Sequence, residues 1–134
     1  MTQATQTQQT VFPGLQYRDA RAAIQWLGEA FGFVPHEVHQ GEDGTVVHAE
    51  LLAGSSIVML GSERDDGDHP LGRHAGQGWV YVAVDDPDAL FERARGAGAT
   101  IVMELTDTDY GSRDFSARDP EGNLWSFGTY RPTL

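Results

Sequence analysis

The residues most able to carry chemistry in this sequence are His48 and Glu50, which are separated by Ala49. Alternate residues of a β-strand point to the same face, so a strand here places the imidazole beside the carboxylate. Such a pair suits a general base with a carboxylate that orients it, or two ligands of a metal ion. Ligand recognition is a third possibility. The pattern is most typical of polar groups on a solvated sheet face, and the other interpretations stay open.

A second group of potential metal ligands lies in a polar stretch that is rich in Gly, Asp and His. It contains His69 and His74 together with Asp65, Asp66 and Asp68. Imidazole and carboxylate groups bind divalent metals, but a metal site needs ligands that are held in a defined geometry. The stretch has no hydrophobic periodicity, so it is predicted to be a solvated linker or lid loop.

A third polar group, Ser112, Arg113 and Asp114, lies at the start of a predicted strand. Ser112 lacks the strand–turn–helix context of a nucleophile elbow, which argues against acyl-transfer chemistry. Arg113 is expected to form an ion pair with Asp114 or Asp119 that holds the loop, or to bind a ligand carboxylate. The chain has no cysteine, which excludes disulfides, thiolate metal sites and thiol nucleophiles.

Length and charge limit the classes of partner. The chain has 134 residues, a formal net charge of −11 and 9 basic residues, all of them arginine. The arginines are scattered, whereas nucleic acid binding needs clustered positive charge, so we expect no nucleic acid partner. The acidity is compatible with a neutral or cationic small ligand, although it is most often a solubility feature. No apolar run reaches the length of a membrane span and no signal peptide is evident, so a cytoplasmic protein is expected.

These residues must be positioned by two segments with the same predicted order of one strand, one helix and three strands. In the first, Asp19 precedes apolar residues at helical spacing and Gly32 follows them, which predicts a helix over 20–31. In the second, Asp86 and Pro87 are typical of a helix start. The predicted strands of the first segment are 11–18, 33–39, 45–52 and 56–60. Those of the second are 79–84, 100–104, 112–117 and 123–129.

The repeat divides the chain into parts. Residues 1–10 form a polar tract, which is predicted to be a disordered tail that docks on nothing. Residues 11–131 are predicted to form a single domain of two modules, 11–63 and 78–131, joined by a linker loop over 64–77. Neither module is large enough to bury a sheet face alone, so the two must pair.

The turn Asp119-Pro120-Glu121-Gly122 leads into an apolar strand that begins near Leu124. This turn, together with the repeat, resembles the vicinal oxygen chelate superfamily, which includes glyoxalases, bleomycin resistance proteins and extradiol dioxygenases. The resemblance implies an α+β fold, in which two βαβββ modules form a rolled eight-stranded mixed sheet around a cleft with the helices outside. The modules could pair within one chain or across a dimer, and both arrangements stay open.

Strand alternation predicts which side chains line that cleft. One face of each strand is apolar and suits contact with the helices. The opposite face carries aromatic and polar residues. The predicted ligand-binding residues are Phe12, Gln16, His48, Glu50, Met59, Trp79, Tyr81, Asp114 and Ser126, with Arg113 at the strand entry.

In metal-dependent members of the superfamily, ligands come from the first, fourth, fifth and eighth strands. The resemblance places Phe12, Met59, Trp79 and Ser126 at these positions. Divalent ions prefer imidazole, carboxylate or thiolate ligands, so we expect no metal and no cofactor here. Flat apolar side chains are instead typical of small-molecule pockets. The chain is therefore most similar to the metal-free, bleomycin-resistance-like members.

We accordingly expect a homodimeric protein that sequesters a flat, neutral to cationic ligand, as antibiotic resistance proteins do, without chemistry. The alternative is a metal-dependent lyase, isomerase or dioxygenase with an atypical site through His48 and Glu50. A regulatory or interaction module with an incidental cleft is a third hypothesis. The sequence does not identify the ligand.

Overall fold

The computed structural model describes residues 9–63 and 74–133. Two segments adopt the same order of elements, which confirms the predicted α+β class and the two βαβββ modules. The first module comprises β1 (Gly14–Tyr17), α1 (Ala20–Phe31), β2 (Val34–Gln40), β3 (Val46–Ala53) and β4 (Ser56–Ser62). The second comprises β5 (Trp79–Ala83), α2 (Pro87–Gly96), β6 (Thr100–Asp107), β7 (Arg113–Arg118) and β8 (Leu124–Gly128).

The eight strands divide between two four-stranded mixed sheets, one for each module. Their strand orders are β1-β4-β3-β2 and β5-β8-β7-β6. In each sheet the first strand of the module pairs in parallel with the last, and the remaining pairs are antiparallel. The repeat seen in the sequence therefore extends to the hydrogen-bonding pattern. Among the described residues, no helix is long and apolar enough to cross a membrane.

Both helices begin and end as their cap residues predict. The carboxylate of Asp19 accepts a hydrogen bond from the Ala22 amide at 3.0 Å, and Asp86 accepts one from Ala89 at 3.1 Å. α1 ends at Gly32, whose φ of 76° lies in the left-handed region that glycine adopts without strain. Local signals of this kind explain why the predicted start and end of α1 agree with the structure.

The strand ends depart from the sequence prediction at two places. β1 begins at Gly14 instead of residue 11, because Pro13 has no N–H for a ladder hydrogen bond, although its carbonyl still accepts one from the Met59 amide at 2.8 Å. β6 continues to Asp107 instead of ending at residue 104. Register shifts in its pairing with β7 interrupt the alternation on which the prediction relied.

The predicted tail is corrected at Gln9, which docks on β4. The side-chain amide of Gln9 accepts a hydrogen bond from the Ile57 amide at 2.7 Å and donates one to the Ile57 carbonyl at 2.8 Å. A glutamine side chain carries both a donor and an acceptor, so it can take the place of a strand backbone beside Ile57. Residues 1–8 of the predicted tail and residues 64–73 of the predicted loop lie outside the described residues, and the loop part includes His69.

The two modules share one core on the helix side of their sheets. Phe31 of α1 lies 4.7 Å from Phe127 of β8, and Phe33 lies 5.2 Å from Trp125, measured between ring centroids. All four aromatic side chains are buried. Contacts at these distances are typical of packed aromatic pairs. The modules are therefore joined through the faces that carry the helices.

Hydrogen bonds reinforce the contact between the two helices. The indole nitrogen of Trp26 donates to the Ala97 carbonyl at 2.9 Å, which links α1 to the residue that follows α2. The guanidinium of Arg93 donates to the carbonyls of Gly28 and Glu29 at 3.0 and 2.8 Å. A cation near the C-terminus of α1 also complements the helix dipole.

A buried carboxylate, that of Asp119, joins the first strand to the last turn. Its Oδ2 atom accepts hydrogen bonds from the Tyr17 hydroxyl at 2.6 Å and from the Trp125 indole at 3.0 Å. Its Oδ1 atom accepts from the amides of Glu121 and Asn123, each at 3.1 Å. Buried charges are tolerated when they are fully hydrogen-bonded. Asp119 therefore organises the final turn and attaches it to β1.

Glu121, the second acidic residue of this turn, caps α1 of the first module. Glu121 accepts hydrogen bonds from the amides of Arg18 and Asp19, at 2.6 and 2.8 Å. These amides precede α1 and have no partner within the helix. The turn that identifies the last strand in the sequence thus also holds the start of α1.

Replacement of Asp119 by alanine should destabilise the protein strongly. Asp119→Ala leaves four donors without their acceptor, and buried unsatisfied groups each cost about 1–3 kcal/mol, so we expect a loss of at least about 3 kcal/mol. Urea unfolding followed by tryptophan fluorescence measures this loss. Asp109→Ala, an exposed site in the same module, is the matched control and should change the free energy of unfolding by less than about 0.5 kcal/mol. Equal midpoints for both variants would contradict the prediction.

Stability should also decline at alkaline pH because of Tyr17. Burial, together with the adjacent Asp119 carboxylate, raises the pKa of Tyr17 above its usual value. A raised pKa in the folded state gives stability that is present below the unfolded pKa of about 10 and is lost as the pH rises above it. The chain has no lysine or cysteine, so tyrosines dominate the titration between pH 9 and 11.

The measurement is the free energy of unfolding in urea at pH 8 and at successive values above 10. The buried Tyr17 contributes a decline of up to about 1.4 kcal/mol per pH unit. Tyr17→Phe should reduce the slope by one such contribution. Burial raises the pKa of Tyr81 and Tyr110 too, so a smaller slope should remain. An unchanged slope in Tyr17→Phe would exclude this role.

Candidate functional site

Three of the predicted cleft residues line one cavity of about 460 Å³ on the first module. Gln16 of β1, His48 of β3 and Met59 of β4 form part of its wall. His74 and Gly78, which precede β5, also line it. A cavity of this volume lies within the range of small-molecule sites. Alternation within the strands thus brings together residues that are far apart in the sequence.

His48 and Glu50 form a hydrogen-bonded pair, with the His48 Nε2 atom 3.0 Å from the Glu50 Oε2 atom. Strand β2 places a similar pair beside them, in which His39 lies 2.9 Å from Glu37. The rings of His39 and His48 stack with centroids 6.0 Å apart. Sequence reasoning missed His39 and Glu37, because only the register of β2 against β3 makes them neighbours. The described residues contain no group of three or more His, Asp or Glu placed to hold a metal ion.

A line of hydrogen-bonded side chains crosses the second module. The indole nitrogen of Trp79 donates to the Ser126 hydroxyl at 3.1 Å, and that hydroxyl lies 2.8 Å from the hydroxyl of Ser116. The Trp79 side chain is otherwise open, with 68% of the residue exposed. It follows Gly78, which lines the 460 Å³ cavity. Trp79 is thus next in the chain to a residue of the cavity wall, and its hydrogen bond to Ser126 sets the orientation of its ring.

Asp114 lies on the same face of β7 as Ser116 and is 8% exposed. Its carboxylate accepts hydrogen bonds from the Ser112 hydroxyl and, at 3.2 Å, from the Tyr110 hydroxyl. Gly128 faces it on β8, where any side chain would collide with the carboxylate. The structure confirms close packing at this position, which glycine alone permits.

Burial raises the pKa values of two phenols beside Asp114. The pKa of Tyr81 rises because of desolvation, and the negative charge of Asp114 adds to the effect. The pKa of Tyr110 rises for the same two reasons. The Tyr81 hydroxyl donates to the Tyr130 carbonyl at 2.7 Å. Both phenols therefore remain neutral hydrogen-bond donors near the carboxylate at neutral pH.

The structure corrects the placement of Arg113. Its guanidinium lies 2.7 Å from Asp88 of α2 and 3.0 Å from Asp107 of β6, instead of pairing with Asp114 or Asp119. Hydrogen bonds from Arg113 lower the pKa of Asp88. Arg113 is adjacent to Asp114 in β7, so alternation directs it to the helix face. This ion pair ties α2 to its sheet, and Arg113 is removed from the candidate ligand site.

The remaining predicted residues lie at the borders of these surfaces. Phe12 is exposed just before β1. Tyr81 lines a second cavity, of about 530 Å³, which also contains Val11 and Ile57. Of the four positions that would hold a metal, Trp79 and Ser126 are in direct contact, and Met59 lies in the first cavity. These side chains offer an indole, a thioether and a hydroxyl, which is not a donor set that a divalent ion prefers.

Comparison with known proteins agrees with this architecture. A family model described as the glyoxalase/bleomycin resistance protein/dioxygenase superfamily matches residues 8–127. The crystal structure of TioX from Micromonospora sp. ML1 is similar, with a TM-score of 0.75 and 35% sequence identity over 94% of this chain and 99% of that one.

Two further relatives extend the comparison. An uncharacterised protein of Mycobacterium tuberculosis is 33% identical over 132 residues, which are 95% of this chain and 78% of that protein. A glyoxalase/bleomycin resistance protein from Streptomyces sp. CB03234 shares the fold, with a TM-score of 0.68 at 19% identity over 87% of this chain and 96% of that one. The family match, the sequence relatives and the fold together show that this chain belongs to the glyoxalase/bleomycin resistance protein/dioxygenase superfamily.

Proposed function

We propose that this protein binds and sequesters a flat, neutral to cationic small molecule, without transforming it. The observation that carries the proposal is Trp79, a largely exposed indole that directly follows Gly78, and Gly78 lines a cavity together with Gln16, His48 and Met59. Tryptophan is highly buried on average in folded proteins, so a largely exposed indole is a candidate contact for a ligand. Its hydrogen bond to Ser126 leaves the ring faces free for stacking.

The cavity wall supports binding by shape and hydrogen bonding. Met59 supplies an adaptable apolar side chain, while Gln16 and His48 supply polar atoms that can orient a ligand. Small-molecule sites usually combine apolar surface with a few such polar groups. The same wall contains no nucleophile held next to a base. This composition favours sequestration over catalysis.

The alternative function, a metal-dependent lyase, isomerase or dioxygenase, has less support. It would require His48 and Glu50 to act as metal ligands, but the side chains of these two residues bond to each other. The positions that hold metal in related enzymes carry Phe12, Met59, Trp79 and Ser126. Lewis-acid chemistry needs ligands that bind a divalent ion, and this set does not provide them.

We further propose that the protein acts as a homodimer. Each sheet ends on an edge strand with exposed apolar side chains, Val34 and Val38 on β2 and Val102 and Met103 on β6. Uncovered edges with apolar residues favour pairing with another chain, and two-fold dimers are the commonest closed assembly. A second copy that covers these edges would also enclose the open faces of the sheets.

Removal of the Trp79 ring should weaken ligand binding while the fold is retained. Isothermal calorimetry with a panel of flat dyes, such as acridine orange, ethidium and N-propyl-1,8-naphthalimide, should show binding to the wild-type protein. Trp79→Ala should weaken that binding about tenfold or more, which corresponds to about 1.4 kcal/mol. Gln25→Ala, an exposed truncation on α1 outside both edge strands, is the control and should bind as the wild type does. Equal affinities of Trp79→Ala and wild type for every dye would exclude the stacking site.

The dimer should appear as a mass of twice the chain mass of 14.6 kDa in multi-angle light scattering at micromolar concentration. The double variant Val34→Glu/Val102→Glu places a charge on each edge and should shift the mass towards the monomer. Val11→Glu, at an exposed site outside both edge strands, should leave the dimer intact. A monomer mass for the wild type would refute this proposal.

A further inference from the structure

The carboxylate of Asp114 is buried without a positive charge to balance it. Within residues 9–63 and 74–133, the arginine nearest in sequence, Arg113, is paired with Asp88 and Asp107. No described arginine or histidine forms an ion pair with Asp114. Buried carboxylates are normally paired with a cation or satisfied by several hydrogen bonds. Asp114 therefore differs from the usual case.

Asp119, in the same module, is a buried carboxylate whose capacity to accept hydrogen bonds is filled. It receives four hydrogen bonds, two of them from backbone amides, and it faces the shared core. Among the described residues, Asp114 receives hydrogen bonds only from the hydroxyls of Ser112 and Tyr110. A carboxylate can accept about four hydrogen bonds, so Asp114 retains acceptor capacity on the open sheet face.

Of the two hydroxyls that donate to Asp114, the Tyr110 hydroxyl makes the longer hydrogen bond and belongs to the more exposed residue. The Tyr110 hydroxyl lies 3.2 Å from the carboxylate, which is long for such a bond, and Tyr110 is 63% exposed. Ser112, by contrast, is buried and also accepts a hydrogen bond from the Tyr130 amide at 3.0 Å. A ligand group can therefore reach Asp114 by displacing the hydroxyl of Tyr110.

The surroundings of Asp114 favour a cation over a neutral donor. The rings of Tyr110 and Tyr130 meet edge to face with centroids 5.9 Å apart, and Tyr130 is 49% exposed. The Tyr81 hydroxyl also lies close to the carboxylate, above Gly128. Aromatic rings around an anionic centre are the arrangement that binds ammonium and alkylated ammonium groups.

We propose that Asp114, with Tyr110 and Tyr130, recognises an alkylammonium group on the ligand. This inference rests on the proposed function, because the flat part of the same ligand would stack on Trp79. Hydrogen bonds lead from Trp79 through Ser126 to Ser116, which covers part of this face. Asp114 and Ser116 are two residues apart on β7, so one strand repeat of roughly 6.6 Å separates them. Asp114 thus determines a preference for cationic ligands and is not required for stacking.

The test compares matched probes that differ only in charge. The probes are 1,8-naphthalimides with a dimethylammonium group on a chain of two, three or four carbons, each paired with its uncharged isopropyl isostere. Calorimetry should show that the wild type prefers the best cationic probe by about tenfold over its isostere, as expected for a charge-assisted contact flanked by aromatic rings. Asp114→Asn should abolish this preference, while the affinity for the isosteres stays unchanged.

Two further variants keep the test decisive. Asp109→Asn removes an exposed carboxylate next to Tyr110 and should retain the preference, which separates direct contact from general negative charge. Tyr110→Phe removes the competing hydroxyl but keeps the ring, so it should increase the preference even if Asp114→Asn folds poorly. Urea unfolding establishes whether each variant is folded.

The outcomes separate this inference from the proposed function. Binding of cationic and neutral probes with equal affinity to the wild type would overturn the role of Asp114 while leaving ligand stacking intact. A preference that persists in folded Asp114→Asn, or falls in Tyr110→Phe, would also overturn it. If neither probe of any pair binds, both the stacking site and the ammonium site are wrong.

Discussion

The structure depends on one buried carboxylate, that of Asp119. Its four hydrogen bonds connect the hydroxyl of Tyr17, the indole of Trp125 and two amides of the final turn. Because Tyr17 belongs to the first strand and the other donors to the end of the chain, the carboxylate ties the two modules together. A charged group in such a position is stable only while every partner is present. The fold therefore has little freedom in how β1 meets β8.

That connection decides which sheet faces remain open. The modules join on the helix side, where Phe31 and Phe33 pack against Trp125 and Phe127. Alternation along each strand then sends the other set of side chains to the opposite face. Trp79 lies on this opposite face and is largely exposed. A single packing arrangement thus explains both the buried aromatic core and the exposed position of Trp79.

Three of the described arginines are engaged in contacts between structural elements. Arg93 binds carbonyl groups at the end of α1, Arg113 joins α2 to β6, and Arg131 pairs with Asp85. These contacts hold structural elements in place and occupy the positive charges. Within the described part of the second module, the buried Asp114 carboxylate consequently has no arginine partner. An acidic chain in which these described arginines make structural contacts is compatible with the proposed neutral or cationic ligand.

The sequence by itself determined the features that follow from short-range chemistry. Asp19 and Gly32 defined α1, the turn at Asp119 identified the last strand, and alternation predicted that Trp79 and Ser126 share a face. These signals act over a few residues, so they survive without knowledge of the partner strands. The family resemblance came from the repetition of such signals.

Tertiary structure decided whatever depends on which strands are neighbours. The register of β2 against β3 stacked His39 on His48, and the packing of α2 on its sheet gave Arg113 the partners Asp88 and Asp107. Gln9 forms hydrogen bonds with Ile57 of β4, although its local sequence predicted a free tail. Hydrogen bonds and ion pairs between distant residues produce no periodic pattern in the sequence. Their geometry exists only after the sheets have formed.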